Sequence, residues 1–117
     1  MLGHIAINRD QALALLGEPP LMGEVGARYT RESEPLTPTD EGVLPLEDLL
    51  GWIARAQERI AAALDQMDEA TFARPAPGDR RQRTVGQALF FLYFHESYHI
   101  GQTELFRQLA GKTDKLI

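Results

Sequence analysis

Apolar residues recur at helical spacing in three stretches of this chain. The first, residues 2–16, has the polar residues 8–11 between its apolar positions, and Gly17 followed by Pro19 and Pro20 marks its end. The second predicts a helix from about residue 45 to about residue 70, with a proline suited to its first turn. The predicted apolar stripes are Leu2, Ile5, Leu13 and Leu16 in the first helix and Leu46, Leu49, Leu50, Ile53, Ile60, Leu64 and Met67 in the second.

The third stretch predicts the longest helix, which starts at residue 83 or 84, runs to about residue 110 and ends at Gly111 and Lys112. Its first half is apolar on more than one face, as in a central helix or one packed against a second subunit. No segment has the alternating pattern of a β-strand. The pattern therefore predicts an all-α protein, a helix bundle with antiparallel neighbours where the loops are short.

Two linkers separate the predicted helices. Residues 17–44 are rich in proline, glycine, threonine and glutamate, and we predict a long surface loop. Loops of this length are uncommon in compact domains unless they have a function such as covering a site. The second linker, residues 73–79, leads to Arg80, Arg81 and Arg83, the only cationic cluster, which either faces solvent or binds an anionic substrate.

Length and composition narrow the classes of function. The 117 residues are the size of one domain, and we take residues 1–117 as that domain. A net charge of −5 without a basic run argues against a nucleic-acid partner. The chain has no run of about 18 apolar residues and no signal peptide, so we expect no membrane partner and a cytoplasmic location. It also has no cysteine, which excludes disulfides, thiolate metal sites and a cysteine nucleophile.

Two of the three histidines, His95 and His99, are one turn apart on the third helix and share a face with apolar residues. Two core-facing imidazoles require partners, which a metal ion or mutual hydrogen bonds would supply. His4 faces the core from the first helix and could complete a three-nitrogen site with an open position. Imidazole suits Zn, Ni, Fe or Cu, so the residues alone do not select the metal. The row that we expect to face into the bundle is Val85, Leu92, His95, His99, Gln102, Phe106 and Leu109.

Residues 95–99 also match the H-E-x-x-H pattern of zinc metalloproteases, in which the glutamate is the general base. The match is incomplete, because no further histidine follows His99 to supply a third ligand. Glu96, about 100° around the helix from His95, is either a candidate base or an exposed or interface carboxylate. Gln102, one turn beyond His99, is either a candidate for hydrogen bonding to a ligand or an amide at the edge of the core. Gly101 is expected to permit close helix packing.

Two segments resemble the DinB-like superfamily. Residues 84–89, TVGQAL, leading into HESYHIGQ at 95–102 and LFRQLAGK at 105–112, resemble the last helix of its bundle. Residues 2–17, LGHIAINRDQALALLG, resemble its second helix, which carries the first metal-binding histidine. The resemblance implies a four-helix bundle of the up-down-down-up type that binds Ni²⁺ or Zn²⁺ through His4, His95 and His99.

The resemblance also implies an activity and a partner. The family includes metal-dependent hydrolases and thiol-dependent S-transferases that use bacillithiol or mycothiol, and its members are often homodimers. We therefore expect a metal-dependent enzyme with a small-molecule substrate. Family members have a further helix ahead of the position of Met1, so we expect a homodimer or higher oligomer that covers the uncovered core. The alternative is a non-catalytic dimeric bundle, or a truncated family member, with weak or no metal binding.

Overall fold

The computed structural model describes residues 1–37 and 39–114. Pro38 of the predicted loop and the last three residues of the predicted domain lie outside the described residues. The helices of the described part are α1 (Leu2–Leu15), a 3-10 helix (Gly23–Tyr29), α2 (Leu46–Asp65), α3 (Glu69–Ala73) and α4 (Val85–Leu109). Helix accounts for 63% of the structure and the described residues form no strand, which confirms the all-α prediction. None of these helices is both long and apolar enough to span a bilayer.

Helix α1 ends where its sequence predicts. Gly17 has a φ of 81°, a left-handed conformation that glycine adopts without steric cost. The Gly17 amide donates to the carbonyl of Ala14 at 3.1 Å, and the Glu18 amide donates to the carbonyl of Leu13 at 2.9 Å. These two bonds form a Schellman motif, which satisfies carbonyls that the end of the helix would leave unpaired.

The second predicted helix is two helices. Helix α2 ends at Asp65, and Pro45 is its N-cap residue instead of a first-turn residue. Asp68 then begins α3, because its carboxylate accepts a hydrogen bond from the Thr71 amide at 2.7 Å. The prediction of one helix to residue 70 was therefore wrong, and an aspartate cap three residues beyond α2 is the physical reason.

Helix α4 begins with a capping box. Thr84 accepts a hydrogen bond from the Gln87 amide at 3.2 Å, and the Gln87 side chain accepts one from the Thr84 amide at 3.0 Å. Reciprocal bonds of this kind satisfy two amides at the start of a helix. They set the first helical residue at Val85, close to the predicted start.

Helix α1 lies between α2 and α4, which make no contact with each other within the described residues. Contacts from Met1 to Thr103 and from Asn8 to His95 show that α1 and α4 are antiparallel. Arg9 contacts Ile53 and Glu18 contacts Arg59, so α1 and α2 run parallel. Parallel neighbours require a connection that returns along the length of the helix, which accounts for the long segment 16–45 between them.

That long segment is only partly a surface loop. Met22 is 4% exposed and packs with Ala6 and Leu49 in one of the two core clusters. The Asp10 carboxylate accepts hydrogen bonds from the amides of Leu21 and Met22, both at 2.8 Å. The prediction of a surface loop was therefore wrong at Met22, which a buried carboxylate on α1 anchors in the core, and at residues 23–29, which form a 3-10 helix with Gly26 buried.

Several predicted core positions are exposed. Leu46, Leu50 and Leu64 of α2 are 58%, 49% and 36% exposed, and Phe106 and Leu109 of α4 are 57% and 75% exposed. The expectation that these residues face the core was wrong for this chain by itself. The pattern predicted the apolar stripes, but the described residues contain no element that covers them.

Candidate metal centre

The three histidines of the chain meet between α1 and α4. One ring nitrogen from each of His4, His95 and His99 lies within 4.8 Å of the other two, and all three side chains are half-buried. The ring centroids are 5.2 Å apart for His4 and His95, 4.9 Å for His4 and His99, and 4.5 Å for His95 and His99. The structure therefore brings together the three residues that the sequence singled out.

Helix geometry explains this meeting. His95 and His99 are one turn apart on α4, so their rings occupy neighbouring positions on one face. Because α1 is antiparallel to α4, the first turn of α1 lies beside residues 95–103 and brings His4 to the same level. A local spacing and one tertiary contact together form the cluster.

Hydrogen bonds donated by Nδ1–H orient the rings of His4 and His99. His4 Nδ1–H donates to the carbonyl oxygen of Tyr29 at 3.3 Å, and His99 Nδ1–H donates to Gln102 Oε1 at 2.7 Å. Each bond keeps the proton on Nδ1 and leaves Nε2 unprotonated, with a lone pair that can accept a hydrogen bond or bind a metal ion. This is the arrangement in which a carbonyl partner prepares a histidine for metal binding through Nε2.

The third ring, that of His95, is hydrogen-bonded to Asn8, a residue that the sequence pattern did not single out. Its Nδ2–H donates to His95 Nδ1 at 3.1 Å, and the residue is 4% exposed. His95 Nε2 in turn lies 3.1 Å from His99 Nε2, and this contact joins the two rings. The signal that could have found Asn8 is its position one turn after His4, which repeats the spacing of His95 and His99.

The site favours the neutral forms of His4 and His95. Burial lowers the pKa of His4 below its ordinary value of 6.5, with the hydrogen bond to Tyr29 opposing this and electrostatic repulsion from His99, the N-terminus and Arg31 adding to it. Burial also lowers the pKa of His95, followed by repulsion from His99, His4 and Arg31. A neutral imidazole is the form that binds a metal ion.

Glu96 lies at the interface between α4 and α1 and does not point to solvent. Its carboxylate accepts hydrogen bonds from Arg9, at 3.0 Å from Nε and 2.6 Å from Nη2, and the side chain is 20% exposed. Arg9 was one of the polar residues predicted to lie between the apolar positions of the first helix. Both Glu96 oxygens are therefore engaged with the neighbouring helix.

Gly101 does not serve close helix packing. A Cβ atom built on it meets no atom of this chain within 4 Å, so no other helix of the described part packs closely against it. Gln102 has the hydrogen-bonding role that its spacing suggested, because its oxygen accepts from His99 and its amide donates to the Tyr98 hydroxyl at 3.3 Å.

A cavity of about 430 Å³ borders the histidine cluster. His4, His99 and Gln102 form one side of it, and residues 28–36 of the long segment form the other. Arg28 and Arg31 bring two positive charges to this wall. Part of the predicted loop thus lies against the site, with room beside the imidazoles for a small molecule.

Comparison with known proteins agrees with the fold and the cluster. The sequence model of the DinB superfamily matches residues 1–103. Neither the curated proteins nor the solved structures give a match to this chain. With an all-α fold, three clustered histidines and a match over most of its length, the chain belongs to the DinB superfamily.

Proposed function

We propose that this protein is a metal-dependent enzyme that acts on a small molecule, as a hydrolase or as a thiol-dependent S-transferase. The ligands in this proposal are His4, His95 and His99. The observation that carries it is the convergence of three oriented imidazoles beside a cavity of about 430 Å³. Membership of the DinB superfamily supports it.

The ring nitrogens of the three histidines lie within 4.8 Å of one another, close to the separation that a divalent ion requires. Nitrogen ligands at about 2.0–2.1 Å from a tetrahedral ion lie about 3.3–3.4 Å from each other. His95 Nε2 and His99 Nε2 are 3.1 Å apart, so a small movement places both at that separation. Imidazole is a good ligand for both Ni²⁺ and Zn²⁺, which are the ions that we propose.

The partners of the rings support the same proposal. Tyr29 and Gln102 already hold the protons of His4 and His99 on Nδ1. For His95 to ligate through Nε2, its proton moves to Nδ1, and rotation of the Asn8 amide presents Oδ1 to it. The Asn8 side chain carries both a donor and an acceptor, so it can serve either form of His95.

An ion with three imidazole ligands keeps a coordination position open, where it activates water or a thiol or polarises a carbonyl. The chain supplies the surroundings of that position. Arg28 and Arg31 would attract an anionic part of the substrate into the cavity. Of the two candidate catalytic residues, Gln102 would position His99, and Glu96, bound to Arg9, would hold α4 beside α1.

Metal analysis of protein purified without a polyhistidine tag tests the proposed metal site. We expect about one equivalent of Ni or Zn, with the metal identified at its X-ray absorption edge. His95→Ala and His99→Ala should each lose the metal, whereas Ser97→Ala on the same helix should retain it. A wild-type protein without stoichiometric metal, or a His95→Ala variant that keeps it, would contradict the proposal.

Two assays of the metal-loaded protein separate the reaction classes. Metal-dependent cleavage of an activated ester or amide without added thiol would support a hydrolase. Conjugation of bacillithiol or mycothiol to an electrophile would support an S-transferase. A panel that gives metal-dependent turnover in neither assay would favour the alternative of a non-catalytic bundle.

We also propose that the chain associates with a second copy through α4. Large apolar side chains line the outside of this helix, with exposures of 56% to 75%. They are Phe90, Tyr93, Phe94, Tyr98, Ile100, Leu105, Phe106 and Leu109. The accessible surface is 8505 Å², whereas a compact chain of this mass exposes about 6,400 Å². The excess exceeds the roughly 800 Å² that each partner buries in a standard interface.

The same face is also compatible with the alternative of a non-catalytic dimeric bundle. Metal analysis distinguishes this alternative from a metal-dependent enzyme.

A further inference from the structure

A second cavity lies beside the N-terminal half of α4. It has a volume of about 550 Å³ and is lined by residues of α1, α4 and the segment 77–83. Its lining joins three arginines, Arg80, Arg81 and Arg83, to the apolar side chains of Leu15, Ala88 and Leu92. We call it the arginine cavity. Its volume is in the range of sites that bind small organic molecules.

Asp79 fixes the position of Arg83 at this cavity. Its Oδ2 accepts a hydrogen bond from Arg83 Nε at 2.6 Å, and its Oδ1 accepts one from Nη2 at 3.3 Å. The Arg83 guanidinium is the main cause that lowers the pKa of Asp79 to about 2, so the carboxylate stays ionised. The Asp79 carboxylate also accepts bonds from the amides of Arg81 and Arg83, which orders the segment.

One donor of Arg83 remains unused. Its Nη1 is buried and has no hydrogen-bond partner among the residues that the structure describes. Buried donors in folded proteins almost always have a partner, and an ionised donor without one is costly. Asp79 occupies the other arm of the guanidinium, so an acceptor for Nη1 would come from a molecule held against the lining, after a small shift of the lining exposes that atom.

Stacking holds the arginines against the wall of the cavity. The Arg83 guanidinium lies 4.5 Å from the centroid of the Phe91 ring, and that of Arg81 lies 5.5 Å from it. Phe91 in turn stacks on His95, at 5.9 Å and an interplanar angle of 8°. A side chain ordered in this way loses little further freedom when it binds a ligand.

The charge of the cavity selects the class of ligand. Three arginines and Asp79 leave a net positive charge on its lining, although the whole chain has a net charge of −5. Guanidinium groups bind carboxylates and phosphates strongly, since their planar donors match oxyanion geometry. The apolar residues on the opposite side offer contact to a hydrocarbon group.

We propose that the arginine cavity binds a small organic oxyanion. Its carboxylate or phosphate group would accept hydrogen bonds from the exposed Arg81 and, after a small shift of the lining that exposes it, from Arg83 Nη1, and its apolar body would lie against Leu15, Ala88 and Leu92. Nothing in this inference depends on a metal at the histidines. It goes beyond the proposed enzymatic function and can fail or succeed separately from it.

Calorimetric titration of metal-free protein in a cationic buffer tests the inference. The chelator is removed first, because it is itself an oxyanion. We expect 3-phenylpropionate or phenyl phosphate to bind at least about tenfold more tightly than the neutral 3-phenylpropanol. The acid that binds more tightly shows whether the cavity prefers a carboxylate or a phosphate group. Equal binding of the acids and the alcohol, or binding of neither acid, would overturn the proposal.

Arginine variants locate the binding. Arg83→Gln should weaken binding of the tighter acid about tenfold or more. Arg81→Gln, at a more exposed arginine, should weaken it about threefold. Arg55→Gln on α2, which removes the same charge far from the cavity, should leave the affinity unchanged. If Arg81→Gln and Arg83→Gln both bind like Arg55→Gln, the proposal is wrong.

Arg83→Gln also removes the partner of Asp79, so a second pair of variants leaves that ion pair intact. Ala14 is exposed on α1 and lines the cavity. Ala14→Glu places a negative charge there and should weaken binding of the acid at least about tenfold. Ala14→Gln, whose side chain has the same shape as glutamate without the charge, should weaken binding less than about threefold. Equal affinity of the two variants would also overturn the proposal.

Discussion

The Arg9 guanidinium binds the carboxylate of Glu96 through Nε and Nη2, and its Nη1 donates to the carbonyl oxygen of Ile53 at 2.8 Å. One side chain of α1 thus contacts both α2 and α4. The pair with Glu96 is only 16% and 20% exposed and lies directly beside His95. It fixes the separation of α1 and α4 at the level where the histidines meet.

We expect Glu96→Gln to lower the free energy of unfolding by about 1–3 kcal/mol, since the variant loses a charge-assisted pair in a partly buried position. Urea denaturation measures the change, and Glu58→Gln, at an exposed position of α2, is the control with no expected effect. Metal content should stay at the wild-type level. Unchanged stability together with lost turnover would instead assign Glu96 to the chemistry.

Gly3 is required where α1 meets the Tyr29 ring. A Cβ atom built on Gly3 would lie 2.0 Å from Tyr29 Cδ1, so Gly3→Ala must displace the ring. The Tyr29 carbonyl accepts from His4, and its hydroxyl accepts from the Leu44 amide at 2.7 Å. We expect a metal affinity lower by about tenfold, measured by competition with a chromophoric chelator.

Gly101→Ala is the matched control for Gly3→Ala. The added methyl group meets open space on α4, and alanine stabilises a helix interior over glycine by about 0.5–1 kcal/mol. This variant should bind metal as the wild type does. If both glycine variants bind metal equally, the contact between Gly3 and Tyr29 does not position His4.

Gln102 positions His99 through its side-chain oxygen. Gln102→Leu removes the acceptor of His99 Nδ1–H and should weaken metal binding about 10–100-fold, with an unchanged far-UV circular dichroism spectrum. Gln102→Glu retains an acceptor and should restore most of the affinity. A Gln102→Leu variant with wild-type affinity would show that the hydrogen bond has no role in metal binding.

The metal-free protein should lose stability as the pH falls. The pKa values of His4 and His95 are lowered in the folded state, whereas both return to about 6.5 on unfolding. Below about pH 6.5 the unfolded chain therefore binds more protons, and stability decreases until the folded histidines are protonated too. Thermal melts from pH 8 to 5 measure this, and His95→Gln should flatten the dependence. A profile that is flat in the wild type would contradict the lowered pKa values.

The apolar face of α4 predicts self-association. Phe94 is 58% exposed in the middle of this face, so Phe94→Arg should shift a dimeric wild type to monomer. Light scattering coupled to size-exclusion chromatography measures the mass at micromolar concentration. Gln57→Arg, which adds the same charge to an exposed position of α2, should leave the dimer intact. A monomeric wild type at these concentrations would refute the proposal.

Much of the secondary structure and part of the candidate site were predictable from local sequence. Gly17 and the residues around Thr84 set helix ends through bonds between near neighbours. The spacing of His95 and His99 depends only on the helical repeat. The break at Asp68 was also local, but the apolar stripe continued to Met67 and concealed it.

Only the tertiary structure decided which polar residues are buried. Asn8 and Asp10 are 4% and 5% exposed, because one meets His95 across the helix interface and the other anchors residues 21 and 22. Both partners are distant in sequence, so no pattern within α1 could reveal them. In the same way, the exposure of Phe106 and Leu109 depends on what packs against α4.

The sequence by itself determined three long helices, most of their ends and the histidine pair, since helical hydrogen bonds and caps join residues within a few positions of each other. The tertiary structure decided that His4 completes the cluster, that Asn8 and Gly3 support it, and that Arg9 engages Glu96. Gly3 acts through its contact with Tyr29 of the long segment. The other relationships arise from the antiparallel packing of α1 and α4, which brings together groups about 90 positions apart. Such proximity is a property of the packed chain and leaves no periodic mark in the sequence.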